Sequence, residues 1–174
     1  MTNKLIKVIF VICCIHANNI YALPDDQDQP IYITADSASI NDATGITTYK
    51  GNVIIKQGSL LIEGAHVDMY RGDEGVEKLI TKGSPAHFRQ LPNKGDPYSD
   101  AWGKHMVYQV DDQKLTITKE AKVIQAQDTF TGEKIIYDLD KSIVDAFGSQ
   151  SGSQEKSKGR VNMVIQPKKN NKAN

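Results

Sequence analysis

The histidines are the first side chains in this sequence that could hold a metal or transfer a proton. His66 and His105 occupy the same position of a short repeated segment, and Ser37 and Lys134 occupy that position in the other two copies. The position is therefore polar and is expected to face outward. The repeat explains both histidines without a metal site, and His87 stands alone.

The paired acidic residues and the serines do not form a recognisable catalytic pattern. The acidic pairs fall in lead-ins or predicted turns, where aspartate is favoured: Asp25/Asp26, Asp111/Asp112 and Asp138/Asp140. A glycosidase needs two carboxylates at a defined separation across a cleft, and the spacing singles out no such pair. Ser59, Ser84 and Ser149 lack the context of a nucleophile elbow. We therefore predict a protein that is not an enzyme and that uses no metal or cofactor.

Length and composition limit the number of domains and the kinds of partner that the protein can have. The chain has 174 residues, which is enough for one domain with a real core. Charged residues make up 24%, aromatic residues 7%, and the formal net charge is zero. Nucleic-acid binding would require a basic stripe, so this balance predicts no nucleic-acid partner.

The first 22 residues have the layout of a secretory signal peptide. Lys4 and Lys7 precede an apolar run over residues 8–15, and Ala22 offers a small residue for cleavage. The run is about half of the ~20 residues that a membrane span needs. A retained single-helix anchor is the alternative. Cleavage after Ala22 would remove both cysteines, and we expect the mature chain in a bacterial periplasm.

The rest of the chain is predicted to be all-β. Within residues 49–70, apolar blocks at 53–55 and 60–62 flank a turn that contains Gly58, and a third block follows at 67–70. Short blocks of branched apolar residues punctuated by glycine are typical of antiparallel strands joined by tight turns. No segment after residue 22 shows helical periodicity.

Four segments repeat one pattern and begin at Ala35, Gly64, Gly103 and Gly132. Each has a polar residue two positions on, followed by an apolar pair at i and i+2. Repeats of this size indicate a stack of strand-turn-strand units, some with a third short strand, such as 51–53, 83–86 and 121–123. Side chains at i and i+2 of a strand face the same way. The apolar pairs should therefore form columns along an interior.

The two ends of this stack are predicted to be apolar edge strands at residues 31–34 and 161–165. Natural edges are usually blunted by charges or proline, so two unblunted edges predict pairing with another molecule. End-to-end contacts that do not close produce filaments. The alternative is that these two strands pair within the chain.

Several motifs resemble, in order, those of the LptA/OstA-like family: DQPIYITADSASI (28–40), YKGNVIIKQGSLLI (49–62), TFTGEKIIYD (129–138) and VNMVIQPKK (161–169). The resemblance implies a twisted, open β-jellyroll of repeated antiparallel strand units with a hydrophobic interior over residues 23–166. The basic, amide-rich residues 167–174 are expected to be a disordered tail.

The resemblance also implies a function in the periplasm. Such a protein binds lipopolysaccharide and bridges the inner and outer membranes by head-to-tail assembly. Its implied partners are further copies of itself, an LptC-like inner-membrane protein and an LptD-like outer-membrane protein. Lys50 and Arg71, beside the groove strands, are candidates for contact with lipid phosphates.

Strand alternation selects the side chains that are expected to line the groove and contact the acyl chains of lipid A. In the family, positions that match Ile31 and Ile33 contact lipid. A slip of one residue would turn a whole block outward. The predicted lining is Ile31, Ile33, Ile40, Val53, Ile55, Leu60, Ile62, Val67, Met69, Phe88, Met106, Tyr108, Val110, Leu115, Ile117, Val123, Phe130, Ile135 and Tyr137.

Two other functions are compatible with the pattern of strands. One is a structural β-repeat or adhesin-like module with a dry core and no ligand. The other is a carbohydrate-active enzyme built on a jelly roll, for which no acidic residue here is an obvious catalyst.

Overall fold

The chain folds as an all-β protein, as the sequence predicts. A computed structural model describes residues 26–92, 95–149 and 159–167. The predicted signal peptide, the 150–158 segment and the tail beyond Pro167 lie outside the described residues. No helix in the described part of the chain has the length and apolar character that crossing a bilayer requires.

In the part of the chain that the structure describes, a short 3₁₀ turn at Asp26–Asp28 precedes ten antiparallel strands. The strands are β1 (Tyr32–Thr34), β2 (Ser37–Asn41), β3 (Ile46–Gln57), β4 (Leu60–Gly72), β5 (Gly75–Gln90), β6 (Ser99–Gln109), β7 (Lys114–Gln125), β8 (Asp128–Asp138), β9 (Ile143–Phe147) and β10 (Asn162–Val164).

The sheet is open, with two short strands at each end. The long strands β3 to β8 pair in sequence order, β1 and β2 both pair with β3, and β9 and β10 both pair with β8. The strands at the two ends are therefore far apart in the order of the sheet. The prediction of an open stack is confirmed. The alternative that the two terminal strands pair within the chain also holds, because β1 pairs with β3 and β10 pairs with β8, each along one of its edges.

Each long strand bends near its middle at an irregularity in the pairing. The shifts of register lie between Lys50/Val53, Glu63/His66, Lys82/Ala86, Trp102/His105 and Thr118/Ala121. A bulge bends a strand without ending it. The predicted third strands at 51–53, 83–86 and 121–123 were therefore wrong as separate elements, because they continue the long strands past the bends.

The bends divide the sheet into two layers. The first layer contains β2, β9 and residues 46–50, 66–72, 75–82, 105–109, 114–118 and 134–138. The second layer contains β1, β10 and residues 53–57, 60–64, 86–90, 99–103, 121–125 and 128–132. The rings of Phe88 in the second layer and Tyr108 in the first layer meet edge to face at 5.3 Å. The layers therefore pack face to face, as in a jelly roll.

Strand register links the inward side chains into columns that run from one end of the molecule to the other. The column of the second layer is Ile33, Ile55, Ile62, Phe88, Ala101, Val123, Phe130 and Met163. A column of the first layer is Ile40, Thr47, Met69, Leu79, Tyr108, Leu115, Tyr137 and Val144. The buried apolar members belong to one hydrophobic cluster.

Candidate functional site

The interior contains most of the side chains that the sequence assigns to the groove. Fourteen of them are buried: Val53, Ile55, Leu60, Ile62, Val67, Met69, Phe88, Met106, Tyr108, Leu115, Ile117, Val123, Ile135 and Tyr137. Ile33, Val110 and Phe130 are half-buried and pack against this cluster. The predicted inward parity of these blocks is confirmed, whereas contact with lipid stays a prediction.

Two predicted lining residues are not enclosed. Ile31 precedes β1 and is 37% exposed, and Ile40 is 64% exposed. Ile40 is the partner of Thr47, which is buried, so it lies on the inner face of the sheet. It is exposed because β2 pairs only with β3 among the described strands, so none of them covers it. Contact of Ile31 and Ile40 with lipid stays a prediction.

Several interior residues were not predicted from the sequence, and most of them are small or polar. The buried residues that were not predicted include Thr47, Leu79, Thr81, Ala86, Gln90, Ser99, Ala101, Ala121 and Leu139. Alanine and threonine carry little hydrophobic signal in a pattern of alternation. Cross-strand register, which cannot be read from the sequence, places Ala101 beside Phe88 and Thr81 beside Met106.

At the edge of the second layer the apolar interior ends in a group of buried polar side chains, which we call the polar boundary. The hydroxyl of Tyr137 donates to Ser99 Oγ at 3.0 Å, and both residues are buried. Burial raises the pKa of Tyr137, although the bond to Ser99 opposes this effect. Gln90 pairs with Ser99 in the adjacent strand and is also buried.

The segment 26–29, which we call the strap, lies across this boundary. Asp26 accepts hydrogen bonds from the backbone N–H of Ser59 at 2.7 Å and from its hydroxyl at 2.6 Å. It also accepts one from Gln90 Nε2 at 3.1 Å. Gln27 Nε2 donates to the carbonyl of Val110 at 3.1 Å. The strap therefore connects the second-layer turn at Ser59 with the first-layer turn at Val110.

The turns at the rim of the first layer are acidic. Their carboxylates are Asp42, Asp73, Glu74, Asp111, Asp112, Asp138 and Asp140. Asp42 contacts Arg71 at 3.3 Å. The turn between β3 and β4, on the other rim, has no acidic residue. Arg71, a candidate for phosphate contact, therefore lies in an acidic environment.

The repeated polar position faces outward, as predicted. Register aligns Lys50, His66, Lys82, His105, Thr118 and Lys134 in one row, opposite in parity to the interior columns. Burial and the neighbouring lysines hold the pKa of His105 below its usual value. No group of three metal-binding side chains occurs in residues 26–92, 95–149 and 159–167. Lys50, the other phosphate candidate, is thus on the outer surface.

His87 belongs to a polar network on the outer face of the second layer. Its ring nitrogens contact Glu63 at 2.9 Å and Asp100 at 2.7 Å, and its ring stacks on Trp102. Asp100 also accepts from Arg89 Nε at 2.8 Å. Burial opposes ionisation of Asp100, but these hydrogen bonds outweigh it and keep its pKa below the usual value. The network explains His87 as a structural residue.

Comparisons with known proteins place the chain beside components of lipopolysaccharide export. It is 41% identical over 150 residues to the lipopolysaccharide export system protein LptH of Pseudomonas aeruginosa, covering 85% of each chain. It is 31% identical over 179 residues to LptA of Escherichia coli K12, covering 98% of this chain and 92% of that protein.

Comparison with solved structures also matches the chain to a lipopolysaccharide transport protein. The crystal structure of LptH, described as the periplasmic LptA homologue of the lipopolysaccharide transport device of Pseudomonas aeruginosa, matches with a TM-score of 0.74 and 39% identity. The match covers 83% of this chain and all of that one. A family profile described as "LptA/(LptD N-terminal domain) LPS transport protein" matches residues 32–143. The chain therefore belongs to the LptA/LptD N-terminal domain family of lipopolysaccharide transport proteins.

Proposed function

We propose that this chain is a periplasmic lipopolysaccharide export protein that carries the acyl chains of lipopolysaccharide between its two layers. The observation that carries the proposal is the continuous apolar interior, whose columns run from Ile33 and Ile40 at one end to Met163 and Val144 at the other. Such columns offer fatty chains a dry path along the whole molecule.

The energetic reason for such a path is the cost of exposing acyl chains to water. Each buried methylene is worth ~0.8 kcal/mol, so a chain of about 12 carbons gains roughly 10 kcal/mol from an apolar site. In the structure the side chains of the two layers contact one another. An acyl chain would therefore enter by separating the layers and replacing contacts such as that between Phe88 and Tyr108.

The proposed lipid-contacting residues are the predicted lining named above. These residues extend along the whole interior. Ile33 lies at the end formed by β1, Met106 lies in the middle, and Phe130 lies near the end formed by β10. Ile31 and Ile40 would contact lipid at the point where it passes between subunits. In this proposal the protein acts without catalysis, and other components of the export system supply the energy.

The exposed ends support the proposal of head-to-tail assembly. Large apolar side chains are exposed at both ends of the stack: Ile31, Tyr32 and Ile40 at one end, and Ile143, Phe147, Met163, Val164 and Ile165 at the other. Strand addition between copies would cover them and continue the interior columns. We propose an LptC-like inner-membrane partner and an LptD-like outer-membrane partner at the two ends of the chain of copies.

The domain limits complete the proposal. Residues 1–22 would be a signal peptide that is removed on export, residues 23–166 the jellyroll domain and residues 167–174 a basic tail. N-terminal sequencing of the exported protein tests cleavage after Ala22. A retained N-terminus would indicate a membrane-anchored relative instead of a free periplasmic protein.

Depletion of the protein in its own bacterium tests the function. Newly made lipopolysaccharide, followed by pulse labelling and membrane fractionation, should accumulate at the inner membrane because the path across the periplasm is lost. Re-expression of the wild-type chain should restore delivery. Unchanged arrival of lipopolysaccharide at the outer membrane would contradict the proposal and would favour a structural module without a ligand.

A further inference from the structure

The contacts of Asp26 form a compact site for an anion at the second-layer rim. Ser59 supplies two donors to one carboxylate, its backbone N–H and its hydroxyl, and Gln90 Nε2 supplies the third. The hydroxyl of Ser59 also accepts the N–H of Leu91 at 3.0 Å, which turns its own proton toward Asp26. Three preoriented donors that converge on one group are the usual means of binding an oxyanion.

This site lies where the apolar interior meets solvent. Gln90 is buried on the inner face beside Ser99, and its Oε1 has no hydrogen-bond partner among the described residues. A buried amide oxygen without a partner is costly, and a hydroxyl-bearing ligand at this position would satisfy it. The amide thus has capacity for a group other than the Asp26 carboxylate, such as a sugar that carries a phosphate.

The opposite rim is unsuited to the same ligand. The first-layer turns that face solvent carry pairs of carboxylates, such as Asp73/Glu74 and Asp111/Asp112. Like charges repel, so these turns disfavour an anionic head group. The turn between β3 and β4, at the second-layer rim, presents Gln57 and Ser59.

Occupation of the site by Asp26 also holds the strap across the two layers. Gln57 Nε2 donates to the carbonyls of Gln27 and Gln29, both at 3.0 Å, and Gln27 reaches Val110 in the first layer. A ligand that displaces Asp26 would release one anchor of this connection. The connection between the two layers at this rim would then be weaker.

We propose that Ser59 and Gln90 form a binding site for a phosphate monoester of the glycolipid head group, and that Asp26 of the strap occupies this site until the phosphate displaces it. The inference rests on the proposed function, because it assigns the head group of the same lipid. A phosphate monoester carries more negative charge than a carboxylate and has three acceptor oxygens, which match the three donors.

The test compares the affinity of the mature protein for lipid A with its affinity for the same lipid A after enzymatic removal of its phosphates. The measured quantity is the ratio of the two dissociation constants, which reports preference for phosphate. In Asp26→Ala this preference should rise severalfold because the site is vacated. In Gln90→Leu it should fall by about tenfold, the usual worth of a hydrogen bond to a charged group.

A matched variant separates the site from general effects. Gln125→Leu removes a glutamine near a different second-layer turn and should keep the wild-type preference. Ser59→Ala is a milder change than Gln90→Leu and should also lower the preference. Thermal unfolding shows whether each variant is folded at the temperature of the binding measurement.

Two outcomes would overturn the inference in distinguishable ways. If Asp26→Ala and Ser59→Ala lower the unfolding temperature but leave the preference for phosphate unchanged, Asp26 only stabilises the turn between β3 and β4. If the folded wild-type protein binds neither form of lipid A, the proposed function is contradicted, and the proposed phosphate site is contradicted with it.

Discussion

The buried hydrogen bond between Tyr137 and Ser99 allows the packing of the two layers to be tested by changing a single side chain. Replacing Tyr137 by Phe removes a hydroxyl whose bond to Ser99 is buried, and the unpaired serine then remains in the interior. We expect a loss of about 1 kcal/mol in the free energy of unfolding, measured by urea denaturation. Tyr32→Phe is the control, because Tyr32 is 68% exposed and should change stability little.

The lowered pKa of Asp100 predicts how the free energy of unfolding depends on pH. Its pKa is lowered in the folded state, so the unfolded chain takes up the proton first as the pH falls. The stability that Asp100 contributes is therefore complete above its unfolded pKa of about 3.9 and is lost as the pH falls through its lower folded value. We expect the free energy of unfolding to decrease progressively below about pH 4.

Asp100→Asn should remove part of this dependence. Because Arg89 is well exposed, the loss at neutral pH should be only about 1 kcal/mol. The decrease at acid pH should become shallower without disappearing, since the pKa of Asp68 is also lowered. Asp42→Asn, at a carboxyl that is 89% exposed, serves as the control. An acid profile identical to that of the wild type in Asp100→Asn would contradict the assignment.

Single residues differ in how far the sequence predicts them. Alternation predicted the inward direction of Ile55, Met106 and Tyr137, and the repeat predicted that His66 faces outward. The contact of Asp26 with Ser59 could not be predicted, because it joins a polar lead-in to a turn 33 residues away. No local periodicity or motif in the sequence indicates such a long-range hydrogen bond.

At the scale of the strand, Gly64 tests the bend of β4. A Cβ at this position would lie 2.6 Å from Thr81 Cγ2 in the adjacent strand. Gly64→Ala should therefore destabilise the fold by about 1–3 kcal/mol through overpacking. The free energy of unfolding is again the measurement.

Thr81→Ser supplies the partner change, because it removes the methyl group that the new Cβ would meet. In the double variant we expect the combined loss to be smaller than the sum of the two single losses by at least about 0.5 kcal/mol. Strict additivity of the two changes would show that the close approach of β4 and β5 does not require glycine at position 64.

The elements themselves were predicted in type but not in length. Apolar blocks and glycines indicate strands and turns, and the turn at Gly58 is confirmed between β3 and β4. Glycine at a bulge and glycine at a turn give the same signal in the sequence. For this reason residues 51–53 were predicted as a separate strand, whereas they continue β3 through its bend.

At the scale of the whole molecule, the exposed ends predict assembly. Ile40 belongs to the interior column but is uncovered in the single chain, so a second copy would bury it. Ile40→Asp should weaken self-association by about 10–100-fold, as expected for the loss of one buried isoleucine. Light scattering over a series of protein concentrations measures the effect.

Ser39→Asp is the matched control for this change, because Ser39 is the adjacent residue of β2 and points to the opposite face. It should assemble like the wild type, and neither variant should alter the unfolding temperature much. A wild-type chain that stays monomeric at every concentration would contradict assembly through these ends. Equal weakening by both variants would contradict the role of the interior column.

The open architecture was predictable from the whole sequence because both terminal segments are apolar and lack the charges that blunt natural edges. The division into two layers was not predictable, since it depends on where each long strand bends and on register across the sheet. The closure of the rim by the strap was missed for the same reason.

The most direct test of the central claim is site-specific photo-crosslinking in living cells. A photoreactive residue at Met106, which is buried in the interior, should form an adduct with lipopolysaccharide, and so should one at Ile33. The same residue at Val107 or Thr34, each adjacent but facing outward, should form little or none. Adducts of equal yield at the inward and outward positions, or none at Met106 and Ile33, would contradict transport of acyl chains between the layers.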